Sequence, residues 1–206
     1  MVIDDILIRY KENYRRIFES IYPSKNGTGF TERNLSVNFA KAYESVYGNA
    51  ITWYEFQFGE KNNLHYDAII INPENKEIVV IESKRFSQVY QKVRAISGDI
   101  DRIRKFKTEY FKEFIDRIPD VHEYSVKGAI LADVWTETSL KIDIKESFCK
   151  STFGQHYLSG IFADDSWFVN GQYFCENFAD INVPAIRKSN TIPTNYYLLG
   201  MIWNVE

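Results

Sequence analysis

The residues best suited to chemistry lie between Leu64 and Arg85, where two apolar runs carry charges that are costly inside a sheet. The first run, Leu64-His65-Tyr66-Asp67-Ala68-Ile69-Ile70-Ile71, holds one acid, Asp67. The second, Lys76-Glu77-Ile78-Val79-Val80-Ile81-Glu82-Ser83-Lys84, ends in an acid and a base two residues apart. Side chains alternate across a strand, so Glu82 and Lys84 project from one face. Between the runs, Asn72-Pro73-Glu74-Asn75 is turn chemistry and predicts a hairpin. With Pro73 to Lys76 as the loop, Asn72 faces Glu77 and Asp67 falls opposite Glu82. One carboxylate can pair with Lys84, but the second is left uncompensated, and a metal ion resolves the imbalance. The competing explanation is a buried ion-pair cluster that only closes a sheet edge.

Hard divalent ions such as Mg²⁺ take oxygen ligands, usually one or two carboxylates with water and substrate oxygens. Asp67 and Glu82 suit that role, and the backbone carbonyl of Ser83 offers a third protein ligand. Such an ion polarises a phosphoryl oxygen and lowers the pKa of a bound water. Lys84 can orient that water or stabilise charge developing in the transition state. Service as a general base would require a lowered pKa.

These residues need elements to hold them. Ile3, Ile6, Leu7, Tyr10, Tyr14, Ile17, Phe18 and Ile21 repeat at helical spacing and predict an amphipathic helix ending before Pro23. Pro23 to Gly29 reads as a connector. A second helix starts near Thr31 as N-cap, with Glu32 in its first turn, and stops before Gly48. Ile51 to Phe58 is a strand, followed by the hairpin. Val89 to Phe114 suits one long helix that Gly98 would interrupt. Val126 to Val134 is a strand, and Thr136 to Lys150 is assigned as helix. Ser166 to Cys175 reads as a hairpin around Asn170-Gly171, the pair preferred in type I′ turns. Tyr196 to Val205 is a final strand. The division is an N-terminal helix (1–22), a core (30–135) and a C-terminal extension packed on the same domain (136–206).

Asp67, followed fifteen residues later by Glu82-Ser83-Lys84, resembles the signature of the PD-(D/E)XK nuclease superfamily. The order helix, three strands, helix, strand between Thr31 and about Val134 is similar to that superfamily's core. Tyr66 stands where the motif's name places proline. The resemblance implies an α/β fold, a mixed central β-sheet flanked by helices with a restriction-endonuclease-like core (α-β-β-β-α-β). It also implies Mg²⁺-dependent phosphodiester hydrolysis, with Mn²⁺ as a substitute. Asp67 and Glu82 would be metal ligands and Lys84 the catalytic lysine. Glu32 most resembles the further acid that many members carry on the preceding helix, with Glu44 and Glu55 as rivals. A more literal match, Pro119-Asp120 with Asp143-Ile144-Lys145, sits in polar surroundings and fits the context worse.

The chain is 45% hydrophobic and 26% charged, the balance of an ordinary globular protein. No apolar run approaches the roughly 20 residues of a spanning helix, and Met1-Val2-Ile3-Asp4-Asp5 lacks a signal peptide's basic start. Cys149 and Cys175 form neither a disulfide framework nor a zinc spacing, so a cytoplasmic protein is expected. The net charge of −3 argues against a general nucleic-acid coat protein. Yet Lys84 to Lys107 holds eight Lys or Arg against two Asp, so this segment carries +6 and the remainder −9. A basic element beside an acidic site suits a phosphate backbone, with Lys92, Arg94, Arg102 and Arg104 as contacts. The expected partner is nucleic acid, DNA ahead of RNA, with a homodimer through the first helix as a further option.

His65, His122 and His156 have no metal spacing among them, though His65 is expected to share the face of Asp67. Asp164-Asp165 reads as a turn, and Gln88 and Gln91 as helix surface. The alternatives to a nuclease are an inactive nuclease-fold binding module for nucleic acid or a protein partner, and a hydrolase of small phosphoesters.

Overall fold

The computed structural model describes residues 3–20, 31–58, 64–86, 93–112, 117–136, 169–178 and 195–206. The order is α1 (Ile3–Ser20), α2 (Arg33–Tyr47), β1 (Ile51–Phe58), β2 (Leu64–Asn72), β3 (Glu77–Phe86), α3 (Val93–Arg104), β4 (Ser125–Thr136), β5 (Val169–Asn177) and β6 (Asn195–Val205). The strands form a single six-stranded mixed sheet in the order β1-β2-β3-β4-β6-β5. Among the described strands only β3 and β4 pair in parallel, which is why they need the α3 crossover. The fold is therefore mixed α/β, with the expected succession of one helix, three strands, a helix and a strand from α2 to β4. Among the described residues, no helix is long and apolar enough to cross a membrane.

The sheet buries both faces. Val79 and Ile81 of β3 pack with Tyr10, Tyr14, Phe39 and Tyr43 beneath α1 and α2. Ile78 and Val80 pack with Ile96, Ile100 and Ile103 of α3 on the other side. A strand covered on both faces reads as a continuous apolar run, as Ile78 to Ile81 does. Helix α1 presents Ile6, Leu7, Tyr10, Tyr14 and Phe18 to the core at three- and four-residue steps. Its aromatic rings reach β6, with Phe18 and Tyr196 centroids 4.7 Å apart.

The hairpin register is the expected one: the ladder pairs Asn72 with Glu77 and runs to Ala68 opposite Ile81. A buried polar cluster holds it in place. Tyr43 donates to Glu77 Oε1 at 2.8 Å, Asn72 Nδ2 donates to the Tyr43 hydroxyl at 3.2 Å, and Lys127 pairs with Glu77. A one-residue slip would strand these groups in the core, so the register is strongly specified. The Asn72 side chain also accepts the Asn75 N–H at 3.1 Å and shapes the turn.

Four expectations need correction. Helix α2 starts at Arg33 with Glu32 at the cap position, one residue after the expected Thr31, and the carbonyls of Thr31 and Glu32 accept the Asn34 and Leu35 N–H groups. The long helix ends at Arg104 and passes into a π-helical turn, Phe106–Tyr110, while Gly98 lies inside the helix without breaking it. A single glycine costs a helix only about 1 kcal/mol, which the packing of Ile96, Ile100 and Ile103 outweighs. Asn170-Gly171 does not turn a hairpin. It makes an irregularity within β5, where Val169 pairs with Asn204 but Gln172 pairs with Ile202. Asn170 has φ 49°, and the same left-handed tolerance that favours a type I′ turn also permits a bulge. The assigned helix to Lys150 lies outside the described residues beyond Thr136, as does Pro23 to Gly29.

Gly128 shows how closely α3 and β6 approach β4. A Cβ there would stand 2.4 Å from the Trp203 ring and 2.7 Å from Ile103 Cγ2. Gly128→Ala is expected to lower stability by about 1–3 kcal/mol through overpacking, read as an earlier urea midpoint at unchanged slope. An unchanged midpoint would show that the ring and helix yield freely.

Candidate active site at the end of the β2–β3 ladder

Asp67 sits where the sheet changes its pattern. Ala68 and Ile70 face α1 and α2, and Ile69 faces α3. Strict alternation would put Tyr66 with Ala68, yet Tyr66 lies with Ile69 on the α3 side. Strand β1 switches at the same level, with Tyr54 on the α1–α2 side but Phe56 and Phe58 on the other. The pairs Tyr54–Ala68 and Phe56–Tyr66 flank the switch, so Glu55 and Asp67 stand opposite one another. Glu55 has φ 53°, a backbone cost that non-glycine residues rarely carry.

The β2–β3 ladder stops at Ala68–Ile81, one step before Asp67 and Glu82 would pair. Beyond that point Asp67 Oδ2 accepts the Ser83 N–H at 2.6 Å, so a carboxylate replaces a strand carbonyl. Strand β3 continues to Phe86 on β4 alone. The two acids thus flank the point where β2 and β3 part, Asp67 partly exposed and Glu82 buried.

Glu82 and Lys84 share the α3 face of β3, as alternation requires, and α3 supplies their partners. Lys84 Nζ lies 3.0 Å from Asp99 Oδ2 and 3.9 Å from Glu82 Oε2. Arg102 Nη2 pairs with Glu82 Oε1 and with Asp99 Oδ1, the latter at 2.7 Å. The guanidinium carbon stands 5.7 Å from the centre of the Tyr66 ring, whose hydroxyl donates to the Arg102 carbonyl at 3.2 Å. Asp99 and the inward role of Arg102 were not foreseen. The only sequence signal was an acid and a base three residues apart on the basic helix.

Glu32 reaches the site from the start of α2, where its Oε1 accepts the Arg85 N–H at 2.7 Å. Of its rivals, Glu44 accepts the Thr52 hydroxyl at 2.6 Å instead. Glu55 does approach: its Oε2 is 3.1 Å from His65 Nε2, and Glu55, His65 and Asp67 offer ligand atoms all within 4.8 Å of one another. The structure therefore brings Glu32, Glu55, His65, Asp67, Glu82, Lys84, Asp99 and Arg102 to one region. Asp120 is exposed in a left-handed turn before the 3₁₀ turn Val121–Glu123, and Asp143 lies outside the described residues. Lys92, Gln88, Gln91, Asp164, Asp165 and His156 lie outside them too, as does the Arg94 side chain. Arg102 and Arg104, two residues apart on α3, cannot share a helix face.

The electrostatics follow from this crowding. Burial pushes the Asp67 carboxyl above its ordinary range and Glu55 and Glu32 add to the shift, against the pull of the Ser83 N–H and Lys84. Glu82 is pushed up to about 8, by burial first and then by Asp99 and Asp67, with Arg102 opposing. Burial opposes the Lys84 charge, but Asp99, Glu82 and Asp67 outweigh it and hold the amine protonated above its usual range. Lys84 is therefore suited to donate hydrogen bonds and stabilise negative charge, and its environment does not favour a base.

Glu82 carries a sign for stability. Its folded pKa lies above the ordinary 4.5, so the folded protein binds the extra proton between about 4.5 and 8. That contribution is full below the lower value and is lost as pH rises through the upper one. Chemical denaturation of wild type and Glu82→Gln across pH 5 to 9 should therefore show the variant gaining relative stability with pH. A flat difference would place Glu82 ionised throughout.

The donor set fits a hard cation. One oxygen of each acid is anchored by the protein, Asp67 Oδ2 by Ser83 and Glu82 Oε1 by Arg102. These contacts leave Asp67 Oδ1 and Glu82 Oε2, the latter 3.9 Å from Lys84 Nζ, as carboxylate oxygens of the kind Mg²⁺ or Mn²⁺ takes. No protein-family model, no curated protein and no solved structure matches this chain.

Proposed function

We propose that this protein is a metal-dependent nuclease with a restriction-endonuclease-like core, similar to the PD-(D/E)XK superfamily. One observation carries the reading: Asp67 of β2 and Glu82 of β3 flank the end of the β2–β3 ladder, with Lys84 two residues beyond Glu82 on β3. A purely structural ion-pair cluster has no need of an excess acid, yet here three carboxylates, Asp67, Glu82 and Asp99, share two cations, Lys84 and Arg102. Asp67, Glu82 and the Ser83 carbonyl would hold Mg²⁺ or Mn²⁺, which supplies Lewis-acid polarisation of a phosphoryl oxygen and an acidified water.

The chain's own groups account for the remaining steps. Lys84, kept protonated by Asp99, donates toward charge developing on the phosphate oxygens or fixes the attacking water. Glu32, tethered through the Arg85 N–H, adds a carboxylate at the mouth of the site and can order a water there. Within Lys84 to Lys107, Lys84, Arg85, Arg102 and Lys105 are paired with acids of the fold, so the exposed Lys107 is the better candidate for the phosphate backbone, with DNA as the first substrate to try.

The test is incubation of plasmid and single-stranded DNA with the protein and Mg²⁺, then Mn²⁺, with and without EDTA. Metal-dependent cleavage that EDTA abolishes is the expected result. A protein that binds Mn²⁺ in calorimetry but cleaves neither substrate would instead support the reading as a binding module.

A further inference from the structure

Asp99 divides its carboxylate between the two residues on which the proposed reaction depends. Its Oδ2 holds Lys84 at 3.0 Å and its Oδ1 holds Arg102 at 2.7 Å, and Arg102 in turn holds Glu82 Oε1. The pair comes from one turn of α3, so a rigid element supplies both contacts. Asp99 is buried with 6% of its surface exposed, and Tyr66 flanks the guanidinium and donates to the Arg102 carbonyl. Arg102 is therefore fixed on several sides before it touches Glu82.

Resting on the reading of this site as a metal centre, we infer that Asp99 and Arg102 are positioning residues that aim Glu82 Oε2 at the cation and Lys84 at the phosphate. Residues that orient a metal ligand from behind typically change metal affinity 10- to 100-fold when removed. The sign separates this role from bulk electrostatics. Deleting a positive charge beside a cation site tightens binding by Coulomb's law alone, whereas losing the group that orients Glu82 weakens it.

The experiment is calorimetric titration of Mn²⁺ into the full chain as wild type, Arg102→Gln, Arg102→Lys and Asp99→Asn, each checked for cooperative melting. Arg102→Gln should weaken Mn²⁺ binding about tenfold or more, with Arg102→Lys recovering part of the loss. Asp99→Asn should weaken it as well, where the lost charge and the lost anchor of the guanidinium act in the same direction. Equal or tighter binding by Arg102→Gln would overturn the inference while leaving the metal centre standing. Equal binding by Asp99→Asn would remove Asp99 from the pair. Wild type that binds no Mn²⁺ would overturn both the inference and the nuclease reading beneath it. Should Arg102→Gln fail to fold, Arg102→Lys still decides the outcome, since it keeps the charge and alters only the orienting group: weaker binding supports the inference and unchanged binding overturns it.

Discussion

Asp67→Ala is expected to reduce metal-dependent DNA cleavage to the level seen with EDTA, and Lys84→Ala to reduce it about 100- to 1,000-fold. The two numbers differ because the two residues would act differently. Asp67 would carry the cation itself, so its loss removes the Lewis acid and the activated water together. Lys84 would be one preorganised donor, and removing a single such donor leaves the rest of the centre at work. The measurement is initial rates on plasmid and single-stranded DNA, beside Mn²⁺ titration of the same preparations. Asp67→Ala should lose Mn²⁺ binding as well as cleavage, whereas Lys84→Ala should keep the metal and lose rate. Cleavage that survives Asp67→Ala would place the activity elsewhere. Asp120 and Asp143 would then be substituted next.

Asp133→Ala is expected to produce the largest loss of stability among surface-remote polar substitutions, about 3–5 kcal/mol. Asp133 is fully buried in β4 and is ringed by donors. Arg85 Nε and Nη2 both donate to it, at 3.2 and 3.0 Å, and the Tyr196 hydroxyl donates at 3.1 Å. Removing the carboxylate strands a guanidinium and a phenol in the low-dielectric layer under α1. Burial and the Asp133 charge already raise the Tyr14 and Tyr196 hydroxyls well above their ordinary pKa. For a chain of this size the midpoint of thermal unfolding should fall on the order of 10 °C. The paired substitution Arg85→Met with Asp133→Leu should recover much of that loss, because two apolar groups leave nothing unpaired. A loss under about 1 kcal/mol for Asp133→Ala would mean that Arg85 reaches solvent at little cost. The cluster also bears on the site, since the Arg85 N–H is the donor that holds Glu32. Stability and placement of the helix acid thus share one anchor.

The hairpin was legible in the sequence because its information is local. Turn chemistry at Asn72 to Asn75 and two β-branched runs set the register of Asn72 against Glu77, and the structure keeps it. Helices α1 and α2, strand β4 and strand β6 were legible for the same reason: each buries a face or a run that its own periodicity declares. Where local preference had two outlets, the sequence could not choose between them. Asn170-Gly171 suits either a hairpin turn or a bulge, and only pairing of β5 along β6 selected the bulge.

Local sequence was enough to bring two acids and a lysine together, because two strands and a short loop place Asp67, Glu82 and Lys84 within reach. How they are held depends on packing between distant segments. Simple alternation put His65 near Asp67, as the structure has it, but it also put Tyr66 with Ala68, and these take opposite sides, with β1 switching at Glu55 in step. A paired change of phase across two strands depends on what covers each face, which no run of residues declares. Asp99 and Arg102 looked like members of a basic helix surface, and docking of α3 on the sheet turned them inward onto Lys84 and Glu82. Arg85 and Asp133 became partners only when β3 and β4 aligned in parallel across the α3 crossover. Contacts between distant segments depend on how whole elements pack, and that packing minimises the free energy of the complete core rather than of any single element.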